Sequence, residues 1–219
     1  MIHLTDESGP HNAPSYQLSQ AAKRWLSDPR TVLHWYDFLC PFCYIAQSRN
    51  EILRHQGFGV VELPFEVHGD IPLSGTDVGT RHGPMYAHLK REAKDAELIL
   101  NWPSRLPNTR LVLAAAEWVR REHPDDFAQF QKRLFAAHFV RGENLSDMAV
   151  IDHYIAELKI EFKSFHGALR NGSALATLNE SEALAHQFSV RATPAWLIRG
   201  RRFSGLLSSS EFVSFGSLA

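Results

Sequence analysis

The chain has 219 residues and a mass of 24.8 kDa, of which 44% are hydrophobic and 21% charged, with a net charge of −1. That is enough chain for a sizeable core, as one domain with a large insertion or as two small ones, and the near-neutral balance argues against nucleic acid or a membrane surface as partner. Two cysteines are too few for a disulfide scaffold. No segment is apolar over the ~18 residues of a membrane span and the start shows no signal pattern, so a reducing, cytoplasmic setting is expected.

Residues 1 to about 20 are polar and carry Gly9, Pro10 and Pro14, which predicts a loose extension, with a turn or two of helix over Gln17 to Leu26. Thr31 to Phe38 is rich in β-branched and aromatic residues and predicts a buried strand. Pro41 suits a first helical turn, and that helix is expected to end near Gly57. Val60 to Val67 has strand character, with Pro64 placing it at an edge or bulge. The three elements make a βαβ unit. Between its first strand and its helix stand Cys40 and Cys43, a C-x-x-C at the carboxyl end of the strand, where chemistry gathers in open α/β sheets.

From Gly75 to Gln187 the spacing of apolar residues turns helical: Met85 to Leu100, Leu111 to Arg121, a segment carrying Phe127, Phe130, Leu134 and Phe135, a run to Leu158 with Ser146 as its N-cap, then Phe162 to Leu169 and Ala174 to Phe188. Its aromatics read as core. Ala195 to Ile198 predicts a short buried strand, Arg199 to Arg202 a solvated turn, and Phe203 to Leu207 the hairpin partner. Ser208 to Phe215 could close the chain as a short serine-capped helix.

A cysteine at a helix N-terminus faces unpaired N–H groups and the positive end of the dipole, so Cys40 is expected to favour the thiolate, the nucleophile of disulfide exchange. Pro41 offers no N–H there, Phe42 is an apolar neighbour, and the helix brings Cys43 within one turn of Cys40. Three other readings compete. Half a zinc site lacks a second ligand pair, and the histidines show no ligand spacing, so no metal is expected. A structural disulfide across so short a loop would restrict the unfolded chain little. Two inert core cysteines fit a strand-to-helix junction less well than scattered positions.

The order βαβ, helical insertion, ββ(α), with YDFLCPFCYIA in front and Val190-Arg191-Ala192-Thr193-Pro194-Ala195-Trp196 before the hairpin, resembles the DsbA-like thioredoxin-fold family. Within that family the Tyr-Asp-Phe run and Pro107-Asn108-Thr109 are similar to the FrnE-type dithiol–disulfide oxidoreductases. The resemblance covers about Thr31 to Leu207. It implies an α/β, thioredoxin-like fold with a large inserted α-helical domain: an extension over 1–30, the thioredoxin-like part in 31–74 and 183–219, and the insertion in 75–182. It further implies Cys40 as the attacking thiol, Cys43 as the resolving one, and Pro194 as a cis-proline facing the sulfurs. Thr193 then offers backbone to a substrate, with Pro41 and Phe42 on the substrate side, and Asp37 is a candidate for proton transfer. No cofactor beyond a redox-active Cys40–Cys43 disulfide is implied, with glutathione as a possible co-substrate. The partners would be disulfide- or thiol-containing proteins or small molecules. Two alternatives are a glutathione-dependent isomerase or transferase of the kappa-class and 2-hydroxychromene-2-carboxylate isomerase group, which usually has serine at the first cysteine, and a redox-silent interaction module.

Overall fold

The computed structural model describes residues 18–216, so the expected N-terminal extension up to residue 17 lies outside them. Strand β1 (Thr31–Tyr36) is the second strand of a four-stranded sheet ordered β2-β1-β5-β6, with β2 (Gly59–Pro64) parallel to it, and β5 (Ala195–Ile198) and β6 (Arg201–Ser204) following antiparallel. Val32 to Tyr36 are all buried, because both faces of β1 are covered, and a strand covered on both faces is apolar throughout rather than alternating. Leu33 and Trp35 face one apolar cluster with Leu63, Leu184 and Leu197. Val32 joins Ala46, Leu53, Trp196 and Phe212 in another.

Helix α1 (Gln20–Ser27) is capped by Ser19, whose hydroxyl accepts from the Ala22 N–H. Helix α2 (Pro41–His55) crosses from β1 to β2, and Pro64 ends β2 at the sheet edge, where a missing N–H costs nothing. After it comes a ribbon of two very short strands, β3 (Thr76–Asp77) and β4 (Arg105–Leu106), flanking α3 (Pro84–Asp95). At Gly75 the backbone has φ +77° and a Cβ would stand 2.7 Å from the Leu106 carbonyl, so the entry to this ribbon requires glycine. Then follow α4 (Arg110–Glu122), α5 (Pro124–Phe139), α6 (Met148–Glu157), α7 (Phe162–Arg170) and α8 (Ser173–Gln187). Arg199 and Gly200, both at positive φ, make the two-residue hairpin turn between β5 and β6. Helix α9 (Ser209–Gly216) closes the described chain.

Several expectations shift by a few residues. The helix expected over Met85 to Leu100 stops at Asp95, and 98–100 run irregularly beside α5, with Asn101 bonded to the Phe139 and Val140 carbonyls. The turn expected over Arg199 to Arg202 is only two residues long, since Arg201 and Arg202 pair with Ile198 and Leu197. The N-cap of α6 is Asp147, not Ser146: the Ser146 hydroxyl accepts instead from the Asn108 N–H at 2.8 Å, while Asp147 accepts from Ala149. Helix α9 is better anchored than its length suggests. Ser208 and Glu211 form a reciprocal capping box, and Phe212 packs edge-on against Trp196 at 4.8 Å.

The largest apolar cluster joins the two parts of the chain: Tyr36, Phe38, Cys43 and Tyr44 pack with residues from α4 to α8. Phe135 of α5 is its pivot, with ring centroids 5.9, 4.8 and 6.0 Å from those of Tyr36, Phe38 and Tyr44. Phe135→Ala is therefore expected to cost about 3–5 kcal/mol and to lower the unfolding midpoint of sheet and helices together. Urea denaturation followed by tryptophan fluorescence and by far-UV circular dichroism checks this, and two separate transitions would contradict it.

Candidate active site

The turn from β1 into α2 builds the site. Cys40 is the N-cap of α2, with extended backbone, and no side chain caps it; its carbonyl accepts from the Cys43 and Tyr44 N–H groups at 3.0 and 3.2 Å. Cys40 is partly exposed, Cys43 fully buried, and both are free, approaching to 3.5 Å. On the other side of Cys40 its thiol donates to the Thr193 carbonyl at 3.4 Å. The Thr193–Pro194 peptide bond is cis, and Pro194 is buried at the head of β5. β5 neighbours β1 in the sheet, so residues 153 positions apart in sequence come together.

The two thiols differ in their surroundings. A hydrogen bond from the Cys43 thiol, then the Cys43 backbone N–H and the Thr193 side chain, hold Cys40 below the ordinary thiol range against the opposing effects of burial and of the Asp37 carboxylate. Burial, reinforced by the neighbouring Cys40 sulfur, pushes Cys43 well above it. One sulfur is thus set up as a thiolate with access to solvent and its partner as a thiol sealed in the core.

Asp37 lies beneath the turn and is fully buried. Its carboxylate accepts from the Leu39 N–H at 3.3 Å and from the Val67 N–H at 2.9 Å, and the Thr109 hydroxyl also favours its charged form. Burial outweighs these donors and raises its pKa to about 6. Thr109 begins α4, and the adjacent Asn108 ties the same stretch down, donating to the Ile71 carbonyl at 2.8 Å and accepting from the Arg110 N–H. The sequence singles out Asp37 but not Val67 or Thr109, which reach it from 30 and 72 residues away; only the Pro107-Asn108-Thr109 segment hinted at them.

Of the residues expected on the substrate side, Thr193 faces Cys40 and Pro41 lines a cavity beside it together with Leu39. Phe42 turns instead toward α3, packing near His88 and with Ile45, Leu89 and Ala93. Among the described residues no three His, Cys, Asp or Glu side chains gather as a metal-binding group.

The ionisation of Asp37 makes a stability statement. Its folded pKa of about 6 exceeds the ordinary aspartate value of 3.8, so between these values Asp37 holds more of a proton in the folded chain than in the unfolded one, and the stability this group contributes falls as pH rises through the window. Urea unfolding of reduced wild type and Asp37→Asn at pH 4 to 7 isolates this contribution from that of buried histidines such as His138, whose pKa is lowered to about 4 and which both proteins share. The variant is expected to gain on the wild type by on the order of 2–3 kcal/mol over that range, whatever constant offset the lost bonds introduce. Parallel curves for the two proteins would show that Asp37 ionises freely.

A family model described as a DSBA-like thioredoxin domain matches residues 31–215. The fold is similar to that of a probable DsbA oxidoreductase from Streptomyces coelicolor, with a TM-score of 0.74 and 16% identity, covering 86% of this chain and 88% of that one. It is also similar to a 2-hydroxychromene-2-carboxylate isomerase, with a TM-score of 0.68 and 16% identity over 86% and 93% of the two chains. The cytosolic disulfide reductase DsbM from Pseudomonas aeruginosa, solved also with glutathione, gives a TM-score of 0.58 and 19% identity over 86% and 96%. These likenesses establish the architecture, and the match over nearly the whole described chain, with both cysteines and Pro194 inside it, places the protein in the family of DsbA-like thioredoxin-domain proteins.

Proposed function

We propose that the protein is a dithiol–disulfide oxidoreductase that exchanges disulfides with protein or small-molecule substrates through Cys40 and Cys43. The observation that carries this reading is the asymmetry of the pair: a partly exposed, low-pKa thiol at a helix N-terminus against the Thr193 carbonyl, with a buried high-pKa thiol in contact with it.

The Cys40 thiolate attacks one sulfur of a substrate disulfide; the Cys40–substrate bond forms, the substrate S–S bond breaks, and the leaving thiolate takes a proton from water. Cys43 then loses its proton, for which the Asp37 carboxylate is the proposed acceptor, and attacks Cys40; the Cys40–substrate bond breaks, the second substrate sulfur leaves as a thiolate that takes a proton from water, and a Cys40–Cys43 disulfide remains. Two electrons have passed from protein to substrate. Asp37 suits the proton step because its pKa of about 6 leaves it ionised at neutral pH yet able to hold a proton briefly. In the opposite direction the same steps oxidise a substrate dithiol. Return to the dithiol form needs an external thiol, for which glutathione, bound by the Pseudomonas reductase, is the candidate. A reducing, cytoplasmic setting for this cycle is proposed by analogy with the cytosolic Pseudomonas reductase.

Variants separate the roles. Cys43→Ala is expected to trap substrate as a stable mixed disulfide, visible by mass spectrometry, and Cys40→Ala to capture none. Iodoacetamide should alkylate Cys40 with a midpoint below the free value of about 8.5 and leave Cys43 nearly untouched. Equal alkylation rates at the two sulfurs would defeat the proposal. A glutathione-dependent isomerisation that survives Cys43→Ser would instead favour the isomerase chemistry of the structural relative.

A further inference from the structure

Beside Cys40 a cavity of about 450 Å³ opens between the α2 turn and the chain around α3. Leu39 and Pro41, the two neighbours of Cys40, form one wall; His68, Arg81, Tyr86 and Trp102 stand among the other lining residues, none of which is acidic. Two polar groups of these wall residues are left without a partner. The Nη2 of Arg81 and the Nε1 of Trp102 are both buried and make no hydrogen bond, although each can only donate. Arg81 is placed by stacking, its guanidinium lying 5.5 Å from the Trp102 ring, which is in turn packed edge-on by Tyr86 at 5.1 Å. Among the described residues no carboxylate pairs with Arg81. The acids nearby are used elsewhere, Asp77 by Arg105 at 2.6 Å and the exposed Asp70 by His68 at 3.8 Å. Burial disfavours the charge on Arg81, so an oxyanion entering the cavity would relieve both unpaired donors and the uncompensated cation at once.

We infer that this cavity is a subsite for an acidic substituent of the substrate: a disulfide or thiol carrying a carboxylate a few bonds from its sulfur, held by Arg81 and the Trp102 indole while the sulfur meets Cys40. The carboxylate accepts from Arg81 Nη2 and Trp102 Nε1, and the aromatic walls of Tyr86 and Trp102 cover the intervening carbons. The inference deepens the thiol-exchange reading and, as to substrate, rests on it. Arg81 and Trp102 are specificity residues: neither touches the reacting sulfurs.

The test has two arms. In the first, the reduced full-length protein is offered dithiodipropionate, hydroxyethyl disulfide and cystamine, which are anionic, neutral and cationic disulfides of similar size. The expected order of kcat/KM is anionic, neutral, cationic. In Arg81→Gln the anionic-to-neutral ratio should fall about 10–100-fold, the worth of a charge-assisted hydrogen bond, and Trp102→Phe should lower it less. A ratio near one in the wild type, or one that Arg81→Gln leaves in place, overturns the inference.

The second arm reads binding without exchange. Dithiodipropionate titrated into the Cys40→Ser protein should shift the indole N–H resonance of Trp102, assigned among the five tryptophans by Trp102→Phe, and the shift should disappear with Arg81→Gln. An unmoved Trp102 signal overturns the inference even if exchange occurs. A shift that depends on Arg81 in a protein that exchanges with none of the three disulfides upholds the acid subsite and overturns the thiol-exchange reading.

Discussion

The Asp37 carboxylate is pulled in opposite directions, and the arrangement of the site follows from how that contest ends. Two backbone donors want an anion, the Leu39 N–H inside the turn and the Val67 N–H just past β2, and the Thr109 side chain at the start of α4 also favours the charge. Each belongs to a different stretch of chain, so one side chain draws the cysteine turn, the exit of the second strand and the entry to the helical block to a single point. The complete loss of water at that point opposes the charge, and it wins, since the pKa stands at about 6 rather than below 3.8. A carboxylate held so is a structural clasp, and the same burial is what suits it to the proton step proposed above.

The opposite end of α2 is tied to the sheet by a different device. Asn50 uses its whole amide: Nδ2 donates to His34 Nδ1 and to Glu62 at 2.9 and 2.8 Å, and Oδ1 accepts from the Trp196 indole at 2.9 Å. Because the indole can only donate, the amide orientation is fixed, and with it the role of His34 Nδ1 as acceptor. Burial lowers the pKa of His34; it also opposes the charge on Glu62, yet Arg54, which donates to it at 2.6 Å, helps to hold that carboxyl below its ordinary value. Arg49 adds links from mid-helix to Glu92 of α3 and to the Leu207 carbonyl. The body of α2 is therefore held from three sides, and only its first turn, with Cys40, remains open.

What could be read from the sequence was local. The strand over Thr31 to Tyr36, the helix begun by Pro41 and the helical spacing of Phe127, Phe130 and Phe135 each depend on side chains within one element, and the structure has them. The likeness carried by Thr193-Pro194 extended that reading across the sheet. Beyond it, the signals were absent for physical reasons. Strands of two residues, as in β3 and β4, leave no periodicity to detect, and Ser146 and Asp147 are equally good caps until Asn108 claims the serine. The unpaired donors of Arg81 and Trp102 are features of a three-dimensional enclosure, as is the shell around Asp37, and nothing in the spacing of 37, 67 and 109 announces it.

The hairpin that completes the sheet bears on how this chain behaves among copies of itself. β6 runs along an outer edge, and an unpaired edge is a template for another strand. It is four residues long and begins with Arg201 and Arg202, the first lying over the Phe203 ring and the second reaching the Phe188 and Ser189 carbonyls. The other edge, β2, terminates in Pro64, whose carbonyl is taken by the Ser181 hydroxyl of α8 at 2.7 Å. A neighbouring strand approaching either border meets charge, brevity or an occupied acceptor, which guards the chain against intermolecular sheet growth.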